Sequence, residues 1–290
     1  MPDAYHTGGR GPMRSITHSA AALGLVLLLI HPAAAQDAQE WAEWNRPEEP
    51  FRIIGNVHYV GAAGVSAFLF STPEGLILLD GGLPETAPLI ATNVEKLGFR
   101  MADVKYLLNS HAHFDHSGGL AELKRRSGAT MVASAADAPA LEAGASNSPP
   151  VDVGRVIEDG GTVSLGGTTL TANITPGHTR GCTSWSTTAR EADRSYRVMF
   201  NCSVSIVDRL VGNTSYPGIV TDYQRTFDRF RRSEADVFLS SHPSAFGMAE
   251  KRAKMKAGAA NPFVDPAEMK RFMEKAEQVF RAELKKQQAR

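Results

Sequence analysis

His111-Ala112-His113-Phe114-Asp115-His116 stands between the apolar run Tyr106-Leu107-Leu108 and the pair Gly118-Gly119. Four side chains that bind borderline metals fall within six positions, a density that core packing does not require, so the stretch reads first as a metal site. The chain holds only nine histidines. Three of them, His6, His18 and His31, lie in an N-terminal segment with the features of a cleaved signal. Three sit in the cluster, and two more follow turn-forming or apolar stretches: His178 after Thr175-Pro176-Gly177 and His242 after Phe238-Leu239-Ser240-Ser241. His58 is left over, and a lone histidine near a strand end reads as a satisfied polar residue rather than a ligand.

Spacing divides the cluster. His111 and His113 are two apart, so an extended backbone turns both rings to one side. Three neutral nitrogens suit tetrahedral zinc with an open fourth position, and His178 is the natural third. Asp115 and His116 diverge from that group and face a second ion, with His242 completing the set. Five histidines and one carboxylate thus serve two zinc ions per chain. Water between two such ions has its pKa pulled toward neutrality, and Asp115 is placed to orient the resulting bridging hydroxide. Hydrolysis is the chemistry this arrangement favours. A structural zinc is the competing reading, but such sites usually recruit cysteine and close all four positions.

Around the cluster, apolar runs alternate with helical spacing. Gly75 to Leu79 reads as a buried strand stopping at Asp80-Gly81-Gly82, and Glu85 to Leu97 as a helix ended by Gly98. Val104 to Leu108, Thr130 to Ser134, Thr162 to Leu165, Thr168 to Ile174 and Val237 to Leu239 read as strands. Helices are expected over Gly118 to Arg126, Ala136 to Ala143 and Thr221 to Arg232. The last helix starts at Asp265-Pro266, an N-cap followed by proline at the first helical position. Two halves of strands followed by helices, without a linker, predict one α/β domain over residues 36–290: two central mixed β-sheets with helices on the outer faces.

Residues 1–35 read as a secretory signal peptide, with Arg10 and Arg14 ahead of the apolar stretch Ala20 to Ile30 and Ala33-Ala34-Ala35 at the cleavage point. Met13 serves equally well as a start. The stretch is too short to span a bilayer, which takes roughly 20 residues, and no cysteine follows it to carry a lipid. Cleavage leaves 255 residues with 29 basic and 30 acidic side chains. That balance gives no electrostatic footprint for nucleic acid or for a membrane surface.

Two cysteines in an exported chain invite a disulfide. Cys182 to Thr188 and Ser195 to Cys202 look like two strands around the charged turn Arg190 to Arg194. A hairpin centred on residue 192 sets Cys182 opposite Cys202, within bridging distance. A pair of buried free thiols is the alternative.

These residues carry a resemblance. His111-Ala112-His113-Phe114-Asp115-His116, preceded by Leu-Leu-Asp80-Gly-Gly and followed by Pro-Gly-His178-Thr and Ser-His242-Pro, resembles the metallo-β-lactamase fold superfamily from Val57 onward. The resemblance implies a four-layer αβ/βα sandwich with a dizinc site at the sheet edges. Thioesterases and lactonases of that superfamily carry a metal-bridging aspartate before the last histidine, where this chain has Asn201-Cys202-Ser203. The first two metallo-β-lactamase subclasses take a cysteine ligand there. With His116 present and Cys202 turned toward Cys182, the pattern is similar to the third subclass, with His-His-His and Asp-His-His ligand sets.

By that resemblance the chain is a monomeric periplasmic enzyme that hydrolyses the β-lactam ring of penicillins, cephalosporins and carbapenems, giving antibiotic resistance. Ser203 and Ser205 are then expected near the substrate carboxylate. Asp80 is expected to accept a hydrogen bond from a ligand imidazole or, equally, to cap a turn. The segment Ile206 to Leu210 lacks the tyrosine that some members place near the oxyanion. A thioester or lactone hydrolase is the rival enzyme, and a non-catalytic zinc-binding module the rival outside catalysis.

Overall fold

Strand periodicity sets the layering. The computed structural model describes residues 39–145 and 147–289; the expected signal segment, residues 1–35, lies outside them. Seven strands form the first sheet in sequence order: β1 (Phe51–Ile54), β2 (Val57–Tyr59), β3 (Phe68–Thr72), β4 (Gly75–Leu79), β5 (Val104–Leu108), β6 (Thr130–Ser134) and β7 (Arg155–Ile157). The first four run antiparallel and β4 to β7 parallel. The second sheet has the order β12-β11-β10-β9-β8, built from β8 (Thr162–Leu165), β9 (Thr168–Ile174), β10 (Thr183–Glu191), β11 (Arg194–Asn201) and β12 (Val237–Ser240). Only its β11/β12 pair is parallel. Helices among the described residues include α1 (Thr86–Lys96), α2 (Phe114–Ser117), α3 (Leu120–Ser127), α4 (Ala138–Ala143), α5 (Ile219–Arg232), α6 (Met248–Lys256) and α7 (Glu268–Gln288).

Strands β3 to β6 of the first sheet divide their side chains between two cores. Phe68 and Phe70, Ile77 and Leu79, Leu108 and Val132 enter one core, while Leu69, Leu76 and Leu78, Leu107 and Met131 enter the other. Burial on both faces is why these strands read as continuous apolar runs rather than alternating ones. The second of these cores is closed by Ile90 and Val94 of α1 and by Leu120 and Leu123 of α3. The first is closed by the other sheet, where the Phe200 ring lies 4.9 Å from Phe68 and 5.2 Å from Phe70. Beyond that sheet, α5 and α7 join through Tyr223 and Phe280 at 5.2 Å, and Phe272 of α7 packs on Phe238 of β12 at 5.0 Å. The result is helix, sheet, sheet, helix, as the pattern predicts.

The hairpin corrects one expectation. The ladder pairs Trp185 with Phe200 and Glu191 with Arg194, one residue away from the register centred on residue 192. Its two-residue turn is Ala192-Asp193, with Ala192 at φ 50°. Cys182 and Cys202 are disulfide-bonded with Cα atoms 5.8 Å apart. Each lies one residue beyond its strand's end, so the bond forms where the chains leave the ladder, and the pairing holds although the register argued for it does not.

Five strand readings keep their bounds, β4, β5, β6, β8 and β9. The short elements β1, β7, α2 and α6 have no counterpart in the sequence reading. Only Met248 of α6 is buried, so no apolar stripe announces that helix. The terminal helix begins at Glu268, after a turn in which Ala267 N donates to Asp265 Oδ1 at 3.0 Å. Among the described residues no helix is long and apolar enough to cross a membrane.

Candidate metal centre

The parallel strands β4 and β5 end side by side, and β12 ends at the same rim of the sandwich. The chain leaves β5 at Leu108 and delivers His111 and His113 from the following loop, then turns into the single-turn helix α2, which carries Asp115 and His116. His178 follows β9 and His242 follows β12.

The inward-facing atoms form two triangles. In the first, His178 Nε2 lies 3.0 Å from His113 Nδ1 and 3.1 Å from His111 Nε2. In the second, Asp115 Oδ2 lies 3.0 Å from His116 Nε2 and 3.2 Å from His242 Nε2, with those two nitrogens 3.3 Å apart. The triangles adjoin, since the His111 and His116 rings are 4.4 Å apart. Cys182 and Cys202 also come within reach of His111, but their joined sulfurs offer no thiolate.

Backbone carbonyls fix which nitrogens are bare. His178 Nδ1 is 2.9 Å from the Ser205 carbonyl and His242 Nδ1 is 2.9 Å from the Gly64 carbonyl. A carbonyl only accepts, so each Nδ1 carries the proton and each Nε2 presents a lone pair to the centre. Lone pairs converging at these distances repel unless a cation lies between them. A tetrahedral ion with bonds of about 2.0–2.1 Å sets its ligands about 3.3 Å apart, close to both triangles. The donor set therefore fits two zinc-sized ions.

In the first triangle the electrostatics agree with that donor chemistry. Burial, then the neighbouring rings, holds His111 well below the ordinary histidine range, and burial with His113 takes His178 down to about 3. These imidazoles are neutral at pH 7, as metal binding requires. Burial works against ionised Asp115, but His116 and hydrogen bonds from His116 and His242 outweigh it and keep the group an anion. Burial likewise opposes a charge on His116, and Asp115 and Asp80 overcome it, so its pKa moves up.

Asp80 sits behind the second triangle at φ 65°. Its Oδ1 accepts from Ser110 N at 2.6 Å, while Oδ2 is 3.9 Å from His116 Nδ1, beyond hydrogen-bond range. Asp80 thus pins the start of the ligand loop and acts on His116 through charge; burial pushes its carboxyl up to about 6. Ser203 and Ser205 stand beside the first triangle, their hydroxyls 3.0 Å apart and Ser205 Oγ 3.2 Å from His178 Nδ1. His58 stays apart from both triangles, with Nε2 3.0 Å from Ser71 Oγ.

Sequence reading missed Asp137. Its carboxylate accepts from Ala112 N at 3.1 Å, Gly181 N at 3.0 Å and Thr179 Oγ1 at 2.9 Å, tying the His113 loop to the His178 loop. It also missed the lead residues Trp41, tilted against Phe114 at 4.9 Å, and Trp44, against His242 at 5.5 Å. Nothing in local spacing marks any of the three.

The model of the metallo-β-lactamase superfamily matches residues 60–242, a span from just before the first sheet's third strand to the last ligand. The chain belongs to the metallo-β-lactamase superfamily. Solved structures similar to it include subclass B3 enzymes. BJP-1, a subclass B3 metallo-β-lactamase of Bradyrhizobium japonicum, is 43% identical with a TM-score of 0.82, covering 85% of this chain and 97% of that one. The FEZ-1 metallo-β-lactamase of Legionella gormanii is 36% identical with a TM-score of 0.82, covering 84% and 98%. Superfamily membership and these neighbours support a metal-dependent hydrolase. A hydroxyacylglutathione hydrolase of Rhodopseudomonas palustris (strain BisB5) is 40% identical over 96 residues, 33% of this chain and 32% of that one. The chain thus spans about a third of the length of such curated relatives.

Proposed function

We propose that this chain is a dizinc β-lactamase, exported to the periplasm by residues 1–35, that opens the lactam ring of penicillins, cephalosporins and carbapenems and so gives antibiotic resistance. The observation that carries the reading is the second triangle. With Asp115, His116 and His242 at 3.0–3.3 Å, the second ion needs neither a cysteine nor a carboxylate from the end of β11.

Zinc bound in the two triangles supplies an attacking water acidic enough to lose its proton near pH 7 and an electrophile for the lactam carbonyl. The protein's own groups do the positioning. Asp115 gives Oδ2 to the second triangle, and its other oxygen accepts a hydrogen bond from the attacking water, aiming a lone pair at the carbonyl carbon. Ser203 and Ser205 donate to the substrate carboxylate and fix the ring's face. Ser205 acts twice, since its carbonyl also holds His178. Tyr216 donates to Asp222 at 3.0 Å and Tyr223 to the Ser205 carbonyl at 2.6 Å, so neither hydroxyl is offered to a developing oxyanion.

Likeness to a hydroxyacylglutathione hydrolase favours a second reading, a thioester or lactone hydrolase. Against it stands Asn201-Cys202-Ser203, which brings no carboxylate between the triangles; Asn201 Nδ2 instead donates to Ser240 Oγ at 3.1 Å. The test is hydrolysis of a chromogenic cephalosporin by the purified protein, before and after chelation and zinc return, beside thioester and lactone assays. Cleavage of the cephalosporin that chelation stops and zinc restores supports the proposal. Inertness toward it with two zincs bound, with turnover of the thioester or lactone, sinks it.

A further inference from the structure

Cys182 and Cys202 bring their sulfurs to a place that hydrolysis does not use. Cys202 Sγ lies 3.5 Å from His111 Nδ1 and 3.3 Å from the Ser110 carbonyl oxygen. Cys182 Sγ lies 3.6 Å from the Ser203 carbonyl. His111 and both cysteines are at most 1% exposed, and one ring nitrogen of His111 and the two sulfurs fall within 4.8 Å of one another. This cluster sits on the far edge of the His111 ring, opposite the Nε2 that faces the first triangle.

We infer that the reduced chain carries a third metal site here, in which Cys182 Sγ, Cys202 Sγ and His111 Nδ1 hold a thiophilic divalent cation of the zinc class, and that the disulfide closes it. Two thiolates and an imidazole are a zinc donor set, and the Ser110 carbonyl is in reach as a fourth donor. Once the S–S bond is broken, the sulfurs need to separate only to about 3.7 Å to share one tetrahedral ion at about 2.3 Å each. Two thiolates balance the charge of one divalent cation. That matters in a dry site, where buried thiols stay protonated until a metal displaces the protons. Reduction takes two electrons and two protons and leaves two thiols; metal entry then releases the two thiol protons to solvent and, where His111 Nε2 already serves the first triangle, also the Nδ1 proton that faces Ser110 Oγ at 3.0 Å, so that the ring bridges as an imidazolate.

The consequence falls on His111, which serves the first triangle through Nε2 and the thiolate cage through Nδ1. A cation in the cage draws on the ring that the first triangle needs. Forming the disulfide before metal loading leaves His111 one ion to bind. The oxidising compartment that a signal peptide reaches is where that order is imposed. The inference stands on the cage alone and is independent of which substrate the enzyme cleaves.

Cobalt(II) is the probe, because thiolate ligation gives it a charge-transfer absorption in the near ultraviolet that imidazole and carboxylate do not. The full chain is reduced without air by a water-soluble trialkylphosphine, which is oxidised to the phosphine oxide by taking oxygen from water as the disulfide becomes two thiols. Native near-ultraviolet circular dichroism is confirmed, and cobalt is titrated into the reduced and oxidised forms. The reduced protein is expected to bind about three ions per chain against about two for the oxidised one, with the thiolate band in the reduced form alone. Cys202→Ser is expected to abolish the band, and His111→Ala to weaken the cobalt affinity that the band reports at least tenfold. A folded reduced protein without the band overturns the inference, as does a band undiminished in His111→Ala. Loss of the native fold on reduction overturns it too, because the cage exists only in that fold.

Discussion

Asp115, His116 and His242 decide at the residue scale whether a second ion is held. His242→Ala is expected to lower zinc content toward one per chain, read by elemental analysis, with far-ultraviolet circular dichroism unchanged; retention of two zincs means the second triangle is misassigned. Ser203→Ala removes a hydroxyl aimed at a charged group, an interaction of about 1.5–3 kcal/mol. It is expected to raise KM about tenfold or more with kcat nearly unchanged, the signature of binding shared by ground and transition states. The converging side chains were legible as candidate ligands because metal chemistry admits few side chains and the chain has few histidines to spend. Their supports were not. The carbonyls of Ser205 and Gly64 orient His178 and His242, and a backbone carbonyl leaves no mark on a sequence.

Between elements, Asp137 is the part most worth removing. It lies just ahead of α4, far in sequence from both loops it joins, and burial raises its pKa while Thr179 and the amides of Ala112 and Gly181 oppose that shift. Asp137→Ala is expected to weaken metal affinity at the first triangle about 10- to 100-fold, as loss of a group that orients ligands does. The second triangle should be nearly unaffected; a chelator titration that finds both weakened alike would make Asp137 a general stability residue. Strands β4, β6 and β12 were readable because burial on both faces makes them nearly all apolar, and β8 and β9 because buried and less buried residues alternate. The hairpin register was not, since a two-residue turn and a longer charged turn differ by one residue, and only the Ala192 backbone at φ 50° settles the count.

For the whole molecule, stability should depend on pH through His58. It is 8% exposed, its ring packs edge-on against Phe99 at 5.5 Å, and its Nδ1 is buried without a partner. Burial, with Arg52 nearby, takes its pKa from 6.5 down to about 4. The unfolded chain therefore binds this proton first. Stability is full above pH 6.5 and falls as the pH drops from 6.5 toward 4. Urea midpoints of the wild type should fall more steeply over that window than those of His58→Gln; parallel curves would remove His58 as the cause. Metal stabilises the same fold by mass action, so chelation at pH 7 is expected to lower Tm, and zinc to restore it.

The sequence by itself determined the α/β class and picked out the side chains that converge in two triangles at the rim, because periodicity and donor chemistry are local properties that spacing displays. It also named the cysteine pair. Only the tertiary structure decided why that pair meets, which ring nitrogens are bare, what Asp80 and Asp137 hold, and that the disulfide lies against His111. Those facts depend on strands ending together at one rim, and contacts between residues far apart in the chain have no period for a sequence to show.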